Sequence, residues 1–449
     1  MDKNPPKKKL INLLEYYQKG LYGDAGKLAM SLTRDYPGHY FGWKILGAIL
    51  KQIGKKTEAI NANQNAIKLF PEDPEIHNNL GLTLQELGRL DEAETSLRQA
   101  INLKPDLADA HGNMGILMNA KGLKKSALEY FEKKLQLERG LNPNINHKSF
   151  VNISKVKIDH DIEQFEYLVD SGYEIKKFKE LIKIYKTVSS EIDCVLDTDI
   201  IPISKKHSNI LANSYNRPIH ILEAPALAKT PIDQDLNVGE ITNNYFNHEF
   251  GLTYIDNFLT PNALKSLREF VLGSTIWFDF FHEGGYMGAY LSDGLASPLI
   301  LQIAEDLRNK FPKIFKNHHL NQLWAYKYDS RSREKNNNFS GINVHADFAA
   351  INVNFWITPT SANLDSSSGG LIVYNTEAPK NWHFNEYNKN QEKIYEEILK
   401  SDQKKTVIPY NENRAVIFNS NLFHETDKIE FKEGYQNRRI NITMLFGYR

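Results

Sequence analysis

The chain has 449 residues, 41% hydrophobic and 24% charged, with 55 basic and 55 acidic side chains and hence no net charge. That length exceeds one ordinary core and predicts two or three domains, the composition excludes a disordered chain, and neutrality removes any bulk attraction to nucleic acid or an anionic membrane. Cys194 is the single cysteine, which excludes an internal disulfide; no apolar run approaches a membrane span and MDKNPPKKKL lacks the apolar core of a secretory signal, so a cytoplasmic protein with no membrane partner is expected.

The first part of the chain repeats itself. Gly20, Gly54, Gly88 and Gly122 recur every 34 residues, as do Ala25, Ala59, Ala93 and Ala127, and Pro37, Pro71 and Pro105; Gly47, Gly81 and Gly115 form a further set. Small residues such as Gly81 and Ala93 let two helices of a hairpin approach closely. Gly88 can take a positive φ in the turn between them, and Pro105 stops the second helix. Each hairpin leaves an apolar face that its neighbour must cover, which predicts a stacked, curved array. With Trp43-Lys44-Ile45-Leu46-Gly47 as an opening and Pro74 to Pro105 as the clearest copy, residues 1–138 resemble a tetratricopeptide-repeat array. Residues 10–36, with Leu13 where later copies carry Gly, read as an imperfect first copy. The resemblance implies a groove for a peptide or protein partner, with homodimerisation or a structural role as alternatives. Asn79 and Asn113 stand at equivalent positions, open to either a groove or a packing role.

Residues 139–240 are less regular. Asp161 to Val169 and Phe178 to Val188 carry apolar residues at helical spacing, between segments rich in Asn and Pro. They read as a helical and irregular connector without a chemical motif.

From residue 241 the texture changes to short strands. Leu252 to Leu259 leads into a helix whose start, Thr260-Pro261, has the cap-then-proline form. Trp324, Tyr326 and Tyr328 alternate with Ala325 and Lys327. Further strands are expected at Gly369 to Tyr374, Arg414 to Phe418 and Arg439 to Phe446. Trp277, Phe278, Phe280 and Phe281 read as core or lid, and Tyr286 and Tyr290 as candidates for a substrate pocket. His282 and His383 read as surface or structural, and the pair His318-His319 as solvated. The whole predicts a multidomain α + β protein: an N-terminal helical solenoid and, over residues 241–449, a jelly-roll or cupin-like double sheet.

The chemistry gathers at Gly341 to Thr358. His345 and Asp347 lie one residue apart before the alternating run Ile351 to Ile357. On a strand, residues two apart point the same way, so this imidazole and carboxylate can converge on one metal ion, with His424 as a third ligand. Two imidazoles and one carboxylate form the facial set of non-haem Fe(II) oxygenases, which leaves the opposite face of the ion open. A buried arginine in a last strand can hold a carboxylate by two parallel hydrogen bonds.

On these motifs, residues 241–449 resemble the Fe(II)/2-oxoglutarate-dependent dioxygenases, in the prolyl-hydroxylase-like branch. The matching pieces run in order: Tyr254 to Leu259, Trp324 to Tyr328, His345-Ala346-Asp347, Gly369-Gly370-Leu371, Asn413 to Phe418 through His424-Glu425, and Arg438 to Thr443. The resemblance implies a double-stranded β-helix with His345, Asp347 and His424 as Fe(II) ligands. It implies 2-oxoglutarate and O2 as co-substrates, and Arg439 in preference to Arg438 as the cation for the distal carboxylate. Tyr328, in preference to Tyr326, is implied as a co-substrate neighbour. Asn354, with Asn352, reads as a donor to the co-substrate or as a satisfied interior amide. The implied reaction is hydroxylation of a peptide or protein side chain brought by the repeats. The alternatives are a small-molecule hydroxylase whose repeats serve oligomerisation, and a catalytically idle scaffold or adaptor.

Overall fold

The computed structural model describes residues 4–140, 147–282, 284–329, 341–401 and 403–449. The chain divides into two compact units, Met1–Lys134 with Pro379–Lys393, and Leu135–Ala378 with Ile394–Arg449. Among the described residues no helix is long and apolar enough to cross a membrane.

The first unit is a series of helical hairpins: Lys7–Gln18 with Tyr22–Asp35, Tyr40–Gln52 with Lys56–Leu69, Pro74–Glu86 with Leu90–Leu103, and Ala108–Ala120 with the helix that begins at Lys124. The 34-residue landmarks explain its geometry. Gly20, Gly54, Gly88 and Gly122 close the hairpins with φ of 70–78°, a region costly for other residues. Ala25, Ala59, Ala93 and Ala127 are fully buried. A Cβ at Gly81 would stand 2.7 Å from Cγ of Leu97, and one at Gly115 would stand 2.5 Å from the ring of Phe131, so the helices touch where only hydrogen fits. Asp73 caps its helix by accepting from the backbone N–H groups of Glu75 and Ile76, with Pro74 at the first position. Leu13 is buried in a core with Ala25, Leu46 and Ile49, so the divergent first copy packs as a hairpin like the rest. Asn113 donates to Asn78 at 2.9 Å, a bond between the first helices of successive repeats. Residues 379–393 add the short helix Phe384–Asn388 to this unit, with His383 edge-on to Tyr22.

The second unit is built on two antiparallel sheets, with a small two-stranded pairing of Asn152–Ile153 and Ile201–Pro202 beside its helices. The strands of these two main sheets are β1 (Leu252–Ile255), β2 (Met287–Tyr290), β3 (Leu320–Tyr328), β4 (Ile351–Trp356), β5 (Leu371–Glu377), β6 (Lys405–Ile408), β7 (Ala415–Asn419), β8 (Leu422–Thr426) and β9 (Arg439–Phe446). The larger sheet has the order β1-β7-β4-β9-β3-β2 and the smaller the order β8-β5-β6. Leu252, Trp356, Val416 and Phe418 of the large sheet join Leu371, Val373, Ile408 and Leu422 of the small one in a single apolar cluster. The two sheets therefore share one core, with alternate residues of each strand facing it.

Residues 139–240, expected as a connector, are part of this second unit. Their helix Lys155–Asp170 buries polar side chains that are paired: Gln164 donates to the carbonyls of Leu272 (3.0 Å) and Ser274 (2.8 Å), and Lys157 reaches Asp161 at 2.6 Å. Helix Pro261–Gly273 begins as expected, with the Thr260 hydroxyl accepting from the N–H of Ala263.

Candidate metal centre

Two chain segments meet where the sheets adjoin. The N–H of His345 donates to the carbonyl of His424 at 2.9 Å and the N–H of His424 returns the bond at 2.8 Å. Two residues later, the N–H of Asp347 donates to the carbonyl of Ser420 at 3.1 Å, and Ala350 bonds to Phe446 of the large sheet. His345 and Asp347 thus precede β4 on a stretch bridged to His424 and bonded to Ser420, rather than lying on the strand itself. Both side chains nonetheless converge on one place.

The result is a compact trio. Nε2 of His345 is 3.8 Å from Oδ1 of Asp347, Nε2 of His424 is 3.5 Å from Oδ2, and one ligand atom from each residue lies within 4.8 Å of the others. Ligand atoms at right angles about 2.1 Å from an ion are about 3 Å apart, so a small closure of side chains accommodates one ion. Nδ1–H of His345 donates to the carbonyl of Asn343 at 2.8 Å and Nδ1–H of His424 to that of Leu422 at 3.0 Å. Both rings are thereby fixed in the tautomer that turns the Nε2 lone pair towards the trio. Burial, reinforced by the neighbouring His424, lowers the His345 pKa to about 4, against the pull of Asp347. The ring is neutral, as a ligand must be. For Asp347, burial alone would raise the pKa; the histidines and the Asn352 amide outweigh it and hold the carboxyl ionised.

Asp347 is braced from below. Asn352 donates to its Oδ2 at 2.5 Å, Asn354 donates to Asn352 at 2.8 Å, and the Asn354 oxygen accepts from Asn441 (2.9 Å) and Thr443 (2.7 Å). Asn354 is thus buried and linked to Asp347 through Asn352.

Arg439 opens β9 opposite Tyr328 of β3. It is 1% exposed, and its guanidinium lies 5.1 Å from the Tyr328 ring, 5.6 Å from Trp356 and 6.0 Å from Tyr410. Nε and Nη2 donate to the carbonyls of Gly369 (2.7 Å) and Gly370 (3.2 Å). Gly370 has no room for a Cβ, which would strike the carbonyl of Ile408. Nη1 of Arg439 and the hydroxyl of Tyr328 are buried without a hydrogen bond of ordinary geometry, the two side chains interact with each other, and among the described residues no ion pair joins this cation to a carboxylate, Asp427 acting on it at longer range. A buried guanidinium without an ion pair has the chemistry to take up a carboxylate by charge-assisted hydrogen bonds. Arg438 is different: it pairs with Glu163 at 2.9 Å and Asp329 at 2.8 Å.

The remaining candidates fall elsewhere. His282 stacks on Tyr286 and sits 3.2 Å from Asp279, whose Oδ2 also accepts from the Tyr290 hydroxyl. His383 caps helix Phe384–Asn388 in the first unit. His318 and His319, expected in solvent, are half-buried. Sequence reasoning missed Asn441, Thr443, Trp356 and Tyr410. The first two had a visible signal, polar residues recurring at every second place in an otherwise apolar last strand; the aromatic wall had none.

A family model for the tetratricopeptide repeat matches residues 47–88 and 84–122. Among solved structures, one of MamA is 29% identical, covering 29% of this chain and 77% of that one at a TM-score of 0.28. A truncated MamA from Desulfovibrio magneticus RS-1 is 24% identical, with 31% and 79% covered and a TM-score of 0.29. An O-GlcNAc transferase variant from Thermobaculum terrenum is 22% identical, with 29% and 25% covered and a TM-score of 0.28. Scores of this size carry no argument for the rest of the chain, and no curated protein matches it. What is established is narrower: the chain carries tetratricopeptide repeats.

Proposed function

We propose that the second unit is an Fe(II)- and 2-oxoglutarate-dependent dioxygenase domain, its two sheets forming a double-stranded β-helix, and that it hydroxylates a side chain of a peptide or protein recruited by the repeats. One observation carries this reading: two imidazoles and a carboxylate, contributed by separate stretches of the chain, within 4.8 Å of one another. The donor set fits Fe(II), and the unpaired Arg439 guanidinium suits a dicarboxylate co-substrate. His345, Asp347 and His424 would hold the metal, and Arg439 the far carboxylate beside the Tyr328 hydroxyl. When bound, Fe(II) with 2-oxoglutarate and O2 would supply the oxidising power that turns C–H into C–OH, with succinate and CO2 as by-products. The chain's own work is positional. The carbonyls of Asn343 and Leu422 aim the two rings, and Asn352 steadies the carboxylate. Trp356, Tyr410 and Tyr328 wall the cation from water, which strengthens its hold on an anion. Purified protein supplied with Fe(II) should convert 2-oxoglutarate to succinate, and His345→Ala should abolish this. Equal turnover by the variant would remove the assignment.

A second reading is a protein-binding scaffold with an idle sheet domain. The family match to the repeats favours it, since stacked repeats present extended binding surfaces. Thermal melting separates the two. Mn(II) with 2-oxoglutarate should raise the midpoint of a competent site, and an unchanged midpoint would favour the scaffold.

A further inference from the structure

The central strands of the large sheet bury an unusual group. Asn352 and Asn354 of β4 and Asn441 and Thr443 of β9 are all 6% exposed or less. Val353 and Ile442, their chain neighbours on the other face, are apolar and fully buried. Buried amides are costlier than aliphatic side chains unless every bond is made, so their arrangement calls for a cause.

The bonds have one direction. The hydroxyl of Thr443 and the amide N–H of Asn441 both donate to the side-chain oxygen of Asn354, at 2.7 and 2.9 Å. With that oxygen occupied, Asn354 turns its NH2 to the oxygen of Asn352, at 2.8 Å. Asn352 must then present its own NH2 to Oδ2 of Asp347, at 2.5 Å. Neither amide can flip without setting oxygen against oxygen. A merely self-satisfying network would close on itself; this one ends on an oxygen of a candidate metal ligand.

We propose that Asn352 is a positioning residue of the metal centre: by engaging Oδ2 of Asp347 it leaves Oδ1 as the single oxygen offered to the ion. The proposal rests on the metal reading given above. A carboxylate with both oxygens free can chelate and consume one more coordination position. A carboxylate held on one side cannot. Asn352 therefore governs how many positions remain open for other ligands, and Asn354 and Thr443 fix the orientation of Asn352.

The test is Co(II) binding to the full chain, followed by visible absorption. Wild-type protein should bind one Co(II), and His345→Ala should lose it. No binding by wild type, or full retention by His345→Ala, overturns the metal reading and this proposal with it. Asn352→Leu, close in size but without a donor, should weaken Co(II) binding about 10- to 100-fold and alter the position and intensity of the Co(II) band. Thr443→Val, which leaves Asp347 untouched, should move affinity the same way by a smaller factor. Should Asn352→Leu fail to fold, Asn352→Ser, too short to reach Oδ2, replaces it with the same expectation. Wild-type affinity and an unchanged band in the folded Asn352 variant would overturn the positioning role while leaving the metal reading intact.

Discussion

Arg438 and Arg439 are adjacent in the chain and have opposite electrostatic fates: Arg438 is neutralised by Glu163 and Asp329, whereas Arg439 donates to the carbonyls of Gly369 and Gly370, lies among aromatic rings and, among the described residues, makes no ion pair. Alternation sends neighbours on a strand to different sides, and here it separates a structural ion pair from a buried cation that lacks one.

Different losses follow from the two arginines. Arg439→Lys keeps the charge but not the planar fork. It should raise the KM for 2-oxoglutarate at least about tenfold, the weight of roughly 1.4 kcal/mol, with little change in the urea midpoint. Arg438→Met should leave that KM alone. It removes the ion-pair partner shared by two partly buried carboxylates and should cost up to about 3 kcal/mol of stability, read by urea denaturation.

Removing a ligand should show in melting behaviour. Wild-type protein at a Mn(II) concentration about 100 times its Kd should gain about 2.7 kcal/mol. His424→Ala should gain almost nothing, and differential scanning fluorimetry with and without the ion checks this.

The pH dependence of the metal-free protein follows from His345, whose folded pKa of about 4 lies below its ordinary value of 6.5. A depressed pKa favours the neutral form in the folded state. Its stabilising contribution is complete above pH 6.5 and fades as pH falls towards 4, with a limiting slope of about 1.4 kcal/mol per pH unit. Asp347 is also held below its ordinary value, so its contribution survives to lower pH and is lost only under stronger acid. Urea melts at a series of pH values should show the first loss between pH 6.5 and 4. Saturating Mn(II) should move that loss to lower pH, since the ion competes with protons for the same nitrogens.

In the repeats, Gly81→Val would force a side chain into Leu97, 2.7 Å from the added Cβ. Overpacking at such a contact costs about 1–3 kcal/mol. Gly23→Ala, where a Cβ meets nothing within 4 Å, is the control and should cost far less. Circular dichroism melts of the two variants make the comparison.

Much of this was legible in the residues. The glycine and alanine period announced the hairpins because steric contact leaves few substitutes at those places. Arg439 to Phe446 matches a strand end to end, because alternation with β-branched residues admits little else. Thr260-Pro261 marked a helix start through the chemistry of its cap. What stayed hidden was burial achieved by pairing. Lys157, Asp161 and Gln164 give helix Lys155–Asp170 a polar reading, yet all three are buried. Lys327 shares a face of β3 with Leu323 and Ala325, yet carries a charge that hydropathy would place in solvent. It is nonetheless fully buried, donating to the Tyr435 hydroxyl at 2.7 Å, and burial drives its pKa far down. Hydropathy registers side chains singly and cannot see the partner that makes a buried charge tolerable. The same blindness concealed the amide chain beneath Asp347.

Both ligand-bearing stretches change sheets at the site: one passes from His424 to Ser420 as its partner, and the other turns from β7 into β8. An ion seated there would act as a rivet through the seam. Its removal should loosen the paired amides of His345 and His424, and their hydrogen exchange would quicken together while the amides of β4 and β9 kept their protection.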